Sequence, residues 1–180
     1  MKLKDGKEVV VRELNKEDAE EVIAYLNEVA GETDFLSFGE NEFNLTVKEE
    51  EDFIHGMNES ESALLLGVFD EGRMIACCSV NGVMAFKKRY SHRATLGITI
   101  RKEYWNLGLG RQLMEQLIGF VRNHPVLNMI ELEVSTDNER GIHLYQSLGF
   151  QIIGEYQRFF LVDDNYCNAY YMQLDLLDKK

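Results

Sequence analysis

The stretch Ile98-Thr99-Ile100-Arg101-Lys102-Glu103-Tyr104-Trp105-Asn106-Leu107-Gly108-Leu109-Gly110-Arg111 constrains this chain more than any other. An alternating segment, Thr95 to Ile100, runs into a polar turn, two glycines one residue apart, and an amphipathic run from Leu109 to Val121. That succession predicts a strand, a phosphate-sized loop and a helix. Gly108 and Gly110 lack a Cβ, so the backbone there can take positive φ and let a ligand approach its N–H groups. At a helix N-terminus those amides and the macrodipole favour an anion, and Arg111 adds a fixed positive charge. A tight turn at a helix entry uses glycine in the same way, so the loop by itself leaves both readings open. It is not a P-loop, because no Gly-Lys-Ser/Thr follows, and it lacks the third glycine of a dinucleotide fingerprint.

The 180 residues read as a single domain, 1–180, with 45% hydrophobic and 28% charged residues, the composition of a globular protein with a sizeable core. No apolar run approaches the roughly 18 residues of a membrane span and no signal-peptide pattern opens the chain, which points to the cytoplasm. Lys plus Arg is 19 and Asp plus Glu is 31, a net charge of -12, which argues against nucleic acid and anionic membrane as partners. The same field suits a cationic substrate such as an amine, and equally a surface kept acidic for solubility. Cys77, Cys78 and Cys167 form neither a disulfide framework nor a zinc pattern, and His55, His92, His124 and His143 are scattered, so no metal site is expected.

The remaining elements follow from periodicity and caps. Lys7 to Glu13 reads as a first strand, and Asn15 caps a helix over Lys16 to Val29 with Asp18 as its N3 acid and Gly31 as its end. Glu32 to Asn44 mixes Phe35, Leu36, Phe38 and Phe43 with Glu32, Asp34, Glu40 and Glu42. Such a loop either lines a pocket for an apolar or cationic ligand or is pinned to the core by its aromatics. Thr46 and Glu49 make a capping box for a second helix, Val47 to about Asn58, and Glu49, Glu50, Glu51 and Asp52 near its start suit the dipole. Leu64–Phe69 and Arg73–Val80 form a hairpin through Asp70-Glu71-Gly72, and Thr95–Ile100 follows. After the glycine loop, Leu109, Leu113, Leu117 and Val121 make one helical stripe, closed at Pro125. Ile130, Leu132 and Val134 alternate with Glu131, Glu133 and Ser135 as a strand with an apolar and a polar face. Asn138 or Asp137 caps a short helix, Glu139 to Ser147, ended by Gly149. Gln151–Val162 and Tyr166–Leu174 are strands turned at Asp163-Asp164-Asn165. The order predicts an α/β (α+β) fold: a mixed, mostly antiparallel central sheet of about seven strands flanked by about four helices.

From Thr95 onward the chain resembles the GCN5-related N-acetyltransferases (GNAT). In that family a strand leads into an Arg/Gln-x-x-Gly-x-Gly/Ala loop, here Trp105-Asn106-Leu107-Gly108-Leu109-Gly110. About thirty residues on comes Asn-x-x-Ala-x-x-Leu-Tyr-x-x-x-Gly-Phe, here Asn138-Glu139-Arg140-Gly141-Ile142-His143-Leu144-Tyr145-Gln146-Ser147-Leu148-Gly149-Phe150. The likeness covers Ala63 to Leu174. Trp105 replaces the usual Arg or Gln, and Gly141 stands where Ala is common.

The resemblance implies an acetyl-CoA-dependent acyltransferase moving an acetyl group to a primary amine by direct transfer in a ternary complex. It implies a pantetheine arm paired with the edge of Ile98, Thr99 and Ile100, and held by Asn138. The pyrophosphate would sit on the amides of Asn106, Leu107, Gly108, Leu109, Gly110 and Arg111, and an amide near Ile100 would polarise the thioester carbonyl. Tyr145 is the acid expected to reprotonate the leaving thiolate. A primary amine with pKa ~10.4 must first lose a proton. Glu131, Glu133, His92, Glu32, Glu40 or a water chain are the candidate acceptors. The cysteines fall on predicted strands as small core residues, which disfavours an acetyl-cysteine intermediate. A small-molecule amine is the expected partner. A protein N-terminus as acceptor, or a non-catalytic acyl-CoA sensor, are the alternatives; the terminal hairpin could supply edge strands for a homodimer.

Overall fold

The structure, a computed structural model, describes residues 1–83 and 87–177; the last positions of the expected span 1–180 and residues 84–86 lie outside the described residues. The elements are β1 (Val10–Glu13), α1 (Ala19–Ala30), α2 (Val47–Asn58), β2 (Ala63–Asp70), β3 (Arg73–Gly82), β4 (Arg93–Ile100), α3 (Leu109–Asn123), β5 (Met129–Ser135), α4 (Glu139–Ser147), β6 (Gln151–Val162) and β7 (Asn165–Asp175). The strands form a 7-stranded sheet in the order β1-β2-β3-β4-β5-β7-β6. Antiparallel registers join β1 to β2, β2 to β3, β5 to β7 and β6 to β7, and a parallel one joins β4 to β5. This is the mixed, mostly antiparallel sheet with four helices that the element order predicts.

Element ends depend on side-chain partners that alternation does not reveal. β4 begins at Arg93, ahead of the expected Thr95, because Arg93 lies opposite Met129 in the parallel ladder. The first helix opens as a 3-10 turn, Lys16–Asp18, and becomes α-helical only at Ala19. Its predicted capping box is present: Asp18 accepts the Asn15 N–H at 2.9 Å, and Arg12 donates to both Asp18 carboxylate oxygens at 2.7 Å. Those bonds hold Asp18 below the usual carboxylate range, the Arg12 guanidinium being the main cause. Gly31 ends α1 in a right-handed conformation, φ −75°, so its freedom to adopt a left-handed one is not used. Thr46 and Glu49 form the expected box at α2.

The described chain falls into two compact units. The first, residues 1–81 and 97–114, has a core in which Val22, Tyr25 and Val29 of α1 and Ile54 and Met57 of α2 pack with Leu65, Phe69 and Met74 of the sheet. Leu36 of the loop after α1 joins that cluster, and Asn27 clamps the same loop by exchanging hydrogen bonds with the Phe43 backbone at 3.1 and 3.2 Å. The loop is therefore held against its unit by Leu36 and the Asn27 clamp, whereas Phe38 and Phe43 pack on each other, ring centroids 5.1 Å apart, and are not part of that core cluster. In the other unit, residues 82–83, 87–96 and 115–177, Leu117, Ile118 and Val121 of α3 are buried with Ile130, Leu132 and Val134 of β5 and Met172 and Leu174 of β7. Each such side chain contributes roughly 1.5–3 kcal/mol on leaving water.

Candidate active site

The turn between β4 and α3 belongs to the first unit and is fastened residue by residue. Arg101 is 3% exposed; its N–H reaches the Ile75 carbonyl at 3.0 Å, its Nε the Met74 carbonyl at 2.8 Å, and its guanidinium pairs with Glu28 at 2.6 Å. The Lys102 N–H donates to the Glu32 carboxylate at 2.5 Å. Trp105, in place of the family's Arg or Gln, donates its indole N–H to the Ile100 carbonyl at 2.7 Å and so closes the strand-to-loop turn. The β4 ladder with β5 spans Arg93 to Thr95, and Ile98, Thr99 and Ile100 lie beyond it.

The loop that follows takes two left-handed residues, Asn106 at φ 64° and Gly108 at φ 84°. Asparagine is among the few non-glycine residues that adopt this region at small cost, a signal available at Asn106 that the glycine pattern overshadowed. Gly110 has no positive φ and stands as the second residue of α3. A Cβ on Gly108 would come within 3.3 Å of the Lys4 side chain, whose backbone N–H bonds the Leu107 carbonyl at 3.0 Å. Gln112 N–H is bonded to the Gly108 carbonyl at 3.3 Å; the amides of Leu109 and Gly110 precede it and point along the helix axis. An anion such as a pyrophosphate is what this arrangement suits.

The second motif lies in the other unit, on α4. Asn138 is its N-cap, accepting the Gly141 N–H at 2.9 Å. At the other end the Phe150 N–H bonds the Tyr145 carbonyl at 3.1 Å and the Gly149 N–H bonds that of Gln146 at 3.0 Å, with Gly149 at φ 98°. This is a Schellman stop, whose accompanying apolar contact is Tyr145 against Phe150, ring centroids 5.8 Å apart. The Tyr-x-x-x-Gly-Phe spacing thus fixes the ring that carries the candidate acid. Burial pushes the Tyr145 phenol up to about 12, with Arg140 opposing the shift. It stays protonated at neutral pH, as a proton donor must.

The candidate bases separate clearly. Glu131 is not on a solvated face: it is 2% exposed and takes two bonds from Arg93, at 2.7 and 2.6 Å, and one from Gln173 at 3.0 Å. Burial raises its pKa, but the bonds from Arg93, Tyr171 and Gln173 outweigh that and leave it lowered, which makes it a poor base. Glu32 is committed to Lys102 and lies 3.9 Å from Arg101. Glu133 and Glu40 are exposed, and His92 is half-buried. The three cysteines are free thiols on β3 and β7, Cys78 buried and the others partly so. Burial, and then the Glu50 charge, push the Cys77 thiol up to about 12, which disfavours a thiolate nucleophile there. Among the described residues no three His, Cys, Asp or Glu side chains gather as metal ligands, and no helix is long and apolar enough to cross a membrane.

A family model described as the acetyltransferase (GNAT) family matches residues 19–150. The chain belongs to the GNAT family. Its GNAT relatives include the L-amino acid N-acetyltransferase AaaT of Escherichia coli (strain K12), 35% identical over 86 residues, 48% of this chain and 53% of that protein. The N-alpha-acetyltransferase RimI of Mycobacterium tuberculosis is 36% identical over 78 residues, 43% of this chain and 46% of its own. The chain thus spans about half the length of these curated relatives it matches. A crystal structure of a GNAT-family acetyltransferase from Streptococcus pneumoniae superposes with a TM-score of 0.88 at 33% identity, covering 93% of this chain and 99% of that one. The yncA protein of Salmonella typhimurium, a putative acetyltransferase solved with its cofactor acetyl-CoA, shares the fold with a TM-score of 0.80 at 16% identity, over 94% and 95% of the two chains.

Proposed function

We propose that this GNAT chain is a single acyl-CoA N-acyltransferase domain, 1–180, that moves the acetyl group of acetyl-CoA to a primary amine in a ternary complex in the cytoplasm. The observation that supports the reading is the opening of α3: left-handed Asn106 and Gly108 lead straight into the helix N-terminus, whose unpaired amides suit an anion. In this reading the amides of Asn106 to Arg111 hold the pyrophosphate, with the Arg111 charge beside them. The backbone of Ile98, Thr99 and Ile100, beyond the β5 ladder, pairs with the pantetheine arm. Asn138 spends its Oδ1 on the helix cap and keeps Nδ2 to donate to a carbonyl of that arm. Tyr145, protonated and held by Phe150, donates to the departing sulfur.

The relatives named as an L-amino acid N-acetyltransferase and an N-alpha-acetyltransferase both point to an amine acceptor, and the net charge of -12 favours a small cationic one here. A homodimer would use β6, an edge strand on which Ile152, Ile153, Tyr156, Phe159 and Leu161 are exposed. The test is calorimetric titration with acetyl-CoA followed by thiol release over an amine panel that includes an amino acid, spermidine and a peptide N-terminus. Micromolar binding with turnover on one class supports the reading and names the acceptor. Binding without turnover makes the chain a sensor, a role for which the acid at Tyr145 has no use, and no binding removes the assignment of the glycine loop.

Asn138→Ser probes Asn138 separately. Serine keeps a side-chain oxygen for the Gly141 N–H and so keeps the cap, while the Nδ2 donor is lost. Thermal stability should therefore change little. Acetyl-CoA affinity, read by calorimetry, should fall several-fold; unchanged affinity would leave Asn138 a cap only.

A further inference from the structure

The run of acids at the start of α2 contains one that does not behave like the others. Glu49 closes the capping box with Thr46, and Glu51 and Asp52 pair with Lys48 at 3.8 and 2.6 Å. Glu50 instead falls on the stripe Glu50, Ile54, Met57 that α2 turns to the core, and is 2% exposed. Among the described residues no group forms a hydrogen bond or ion pair with its carboxylate. Among the described residues every enclosed side-chain nitrogen or oxygen does have a partner, so the little exposure Glu50 retains lies at its carboxylate oxygens. The carboxylate acts on Cys77 of β3, whose thiol its charge raises, and the Cys77 carbonyl receives the Thr99 hydroxyl at 3.3 Å. Thr99 is the middle residue of Ile98–Ile100 and also accepts the Tyr25 hydroxyl at 2.9 Å. Cys77 and Leu36 pack on this core while only partly buried. All of these residues belong to the first unit.

We propose that Glu50 is the general base that takes the proton of the acceptor amine, an assignment that rests on the acetyltransferase reading above. A carboxylate with almost no exposure and no protein partner costs stability, and the fold retains it on the same unit as the strand edge assigned to the thioester. Burial raises its pKa from the ordinary glutamate value, the direction that strengthens a base. Glu49 and Glu51 flank it on its own helix, and across the core it acts on Cys77 of β3, whose thiol is raised out of the neutral range. Glu50 pairs with the ammonium R–NH3⁺ and accepts one proton, directly or through a water at its oxygens. The freed nitrogen lone pair forms the N–C bond to the thioester carbonyl carbon. The C–S bond breaks with its electrons on sulfur, and the second nitrogen proton balances the thiolate. Glu50 then gives its proton to solvent, so ammonium and thioester become amide, thiol and one proton.

The test compares wild type, Glu50→Gln and Glu50→Asp by acetyl-CoA calorimetry, thermal melting and kcat/KM against pH with the best amine of the panel. Glu50→Gln is expected to bind acetyl-CoA within about twofold of wild type and to melt at the same or a higher temperature. Its kcat/KM should fall ~100-fold near neutrality, within the range of general base catalysis. The deficit should shrink as pH rises toward the amine pKa of ~10.4, where free amine forms unaided. Glu50→Asp should keep the wild-type profile at a reduced rate. A Glu50→Gln enzyme within threefold of wild type across the pH range, or one that melts lower and loses activity equally at every pH, overturns the assignment and leaves the acetyltransferase reading standing. A wild type that turns over no amine overturns both.

Discussion

Tyr145→Phe is expected to lower kcat by roughly a hundredfold with the acetyl-CoA dissociation constant changed less than about twofold. The ring keeps its place because the Schellman stop at Gly149 and the contact with Phe150 use the backbone and the ring face, neither of which needs the hydroxyl. The size of the loss follows from the two acidities. A free thiol has a pKa of ~8.5, so a phenol near 12 does not surrender its proton outright to a formed thiolate. On the proposed assignment Tyr145 acts by a hydrogen bond that strengthens as charge develops on sulfur, and transfer is completed as the nitrogen proton leaves. This places the effect at the lower end of the 10²–10⁴ range for general acids. A wild-type pH–rate profile should show no falling limb from this group below about 12. Single-turnover thiol release with calorimetry separates kcat from binding; an unchanged kcat would leave Tyr145 a packing residue.

Arg93→Met should destabilise the protein by about 3–5 kcal/mol, because it leaves Glu131 with a side chain 3% exposed and no opposing charge. The double change with Glu131→Leu should recover most of that loss, since a buried pair replaced by apolar side chains is often neutral. The pH dependence gives the mechanism away. In the wild type Glu131 is held below its unfolded pKa by Arg93, so its contribution is present above the unfolded value of ~4.3 and lost as pH falls through the folded one. In Arg93→Met burial is no longer outweighed and the folded pKa moves above the unfolded one. That penalty then grows as pH rises through the new value, and lowering the pH recovers stability. Urea denaturation of both proteins from about pH 2.5 to about pH 8 checks the inversion.

Short-range patterns made much of this molecule legible. The glycine loop, the Thr46–Glu49 and Asn15–Asp18 boxes and the Gly149 stop are each written within a few residues, so alternation, caps and the family likeness located every strand and helix. The parts that escaped depend on partners distant in sequence. Glu131 alternates like a solvent-facing strand residue, and only pairing with β4 brings Arg93, 38 positions away, onto its carboxylate. Glu50 hides in an acidic run that reads as dipole compensation; its spacing to Ile54 and Met57 was the available signal. Glycine was expected to provide the loop's positive φ, yet Asn106 shares that task and Gly110 takes no part in it.

The segment ahead of β1 gives the glycine loop a support that can be heard at a distance. Leu3 is 3% exposed, the Lys4 N–H is held by the Leu107 carbonyl at 3.0 Å, and Gln112 Nε2 donates to the Lys2 carbonyl at 3.1 Å. Exchange of the Lys4 amide with deuterated water requires that bond to open, and opening it requires the loop to shift. A ligand seated on the loop should therefore slow exchange at Lys4 through the Leu107 carbonyl, giving a label-free record of loop occupancy that reads cofactor analogues without turnover.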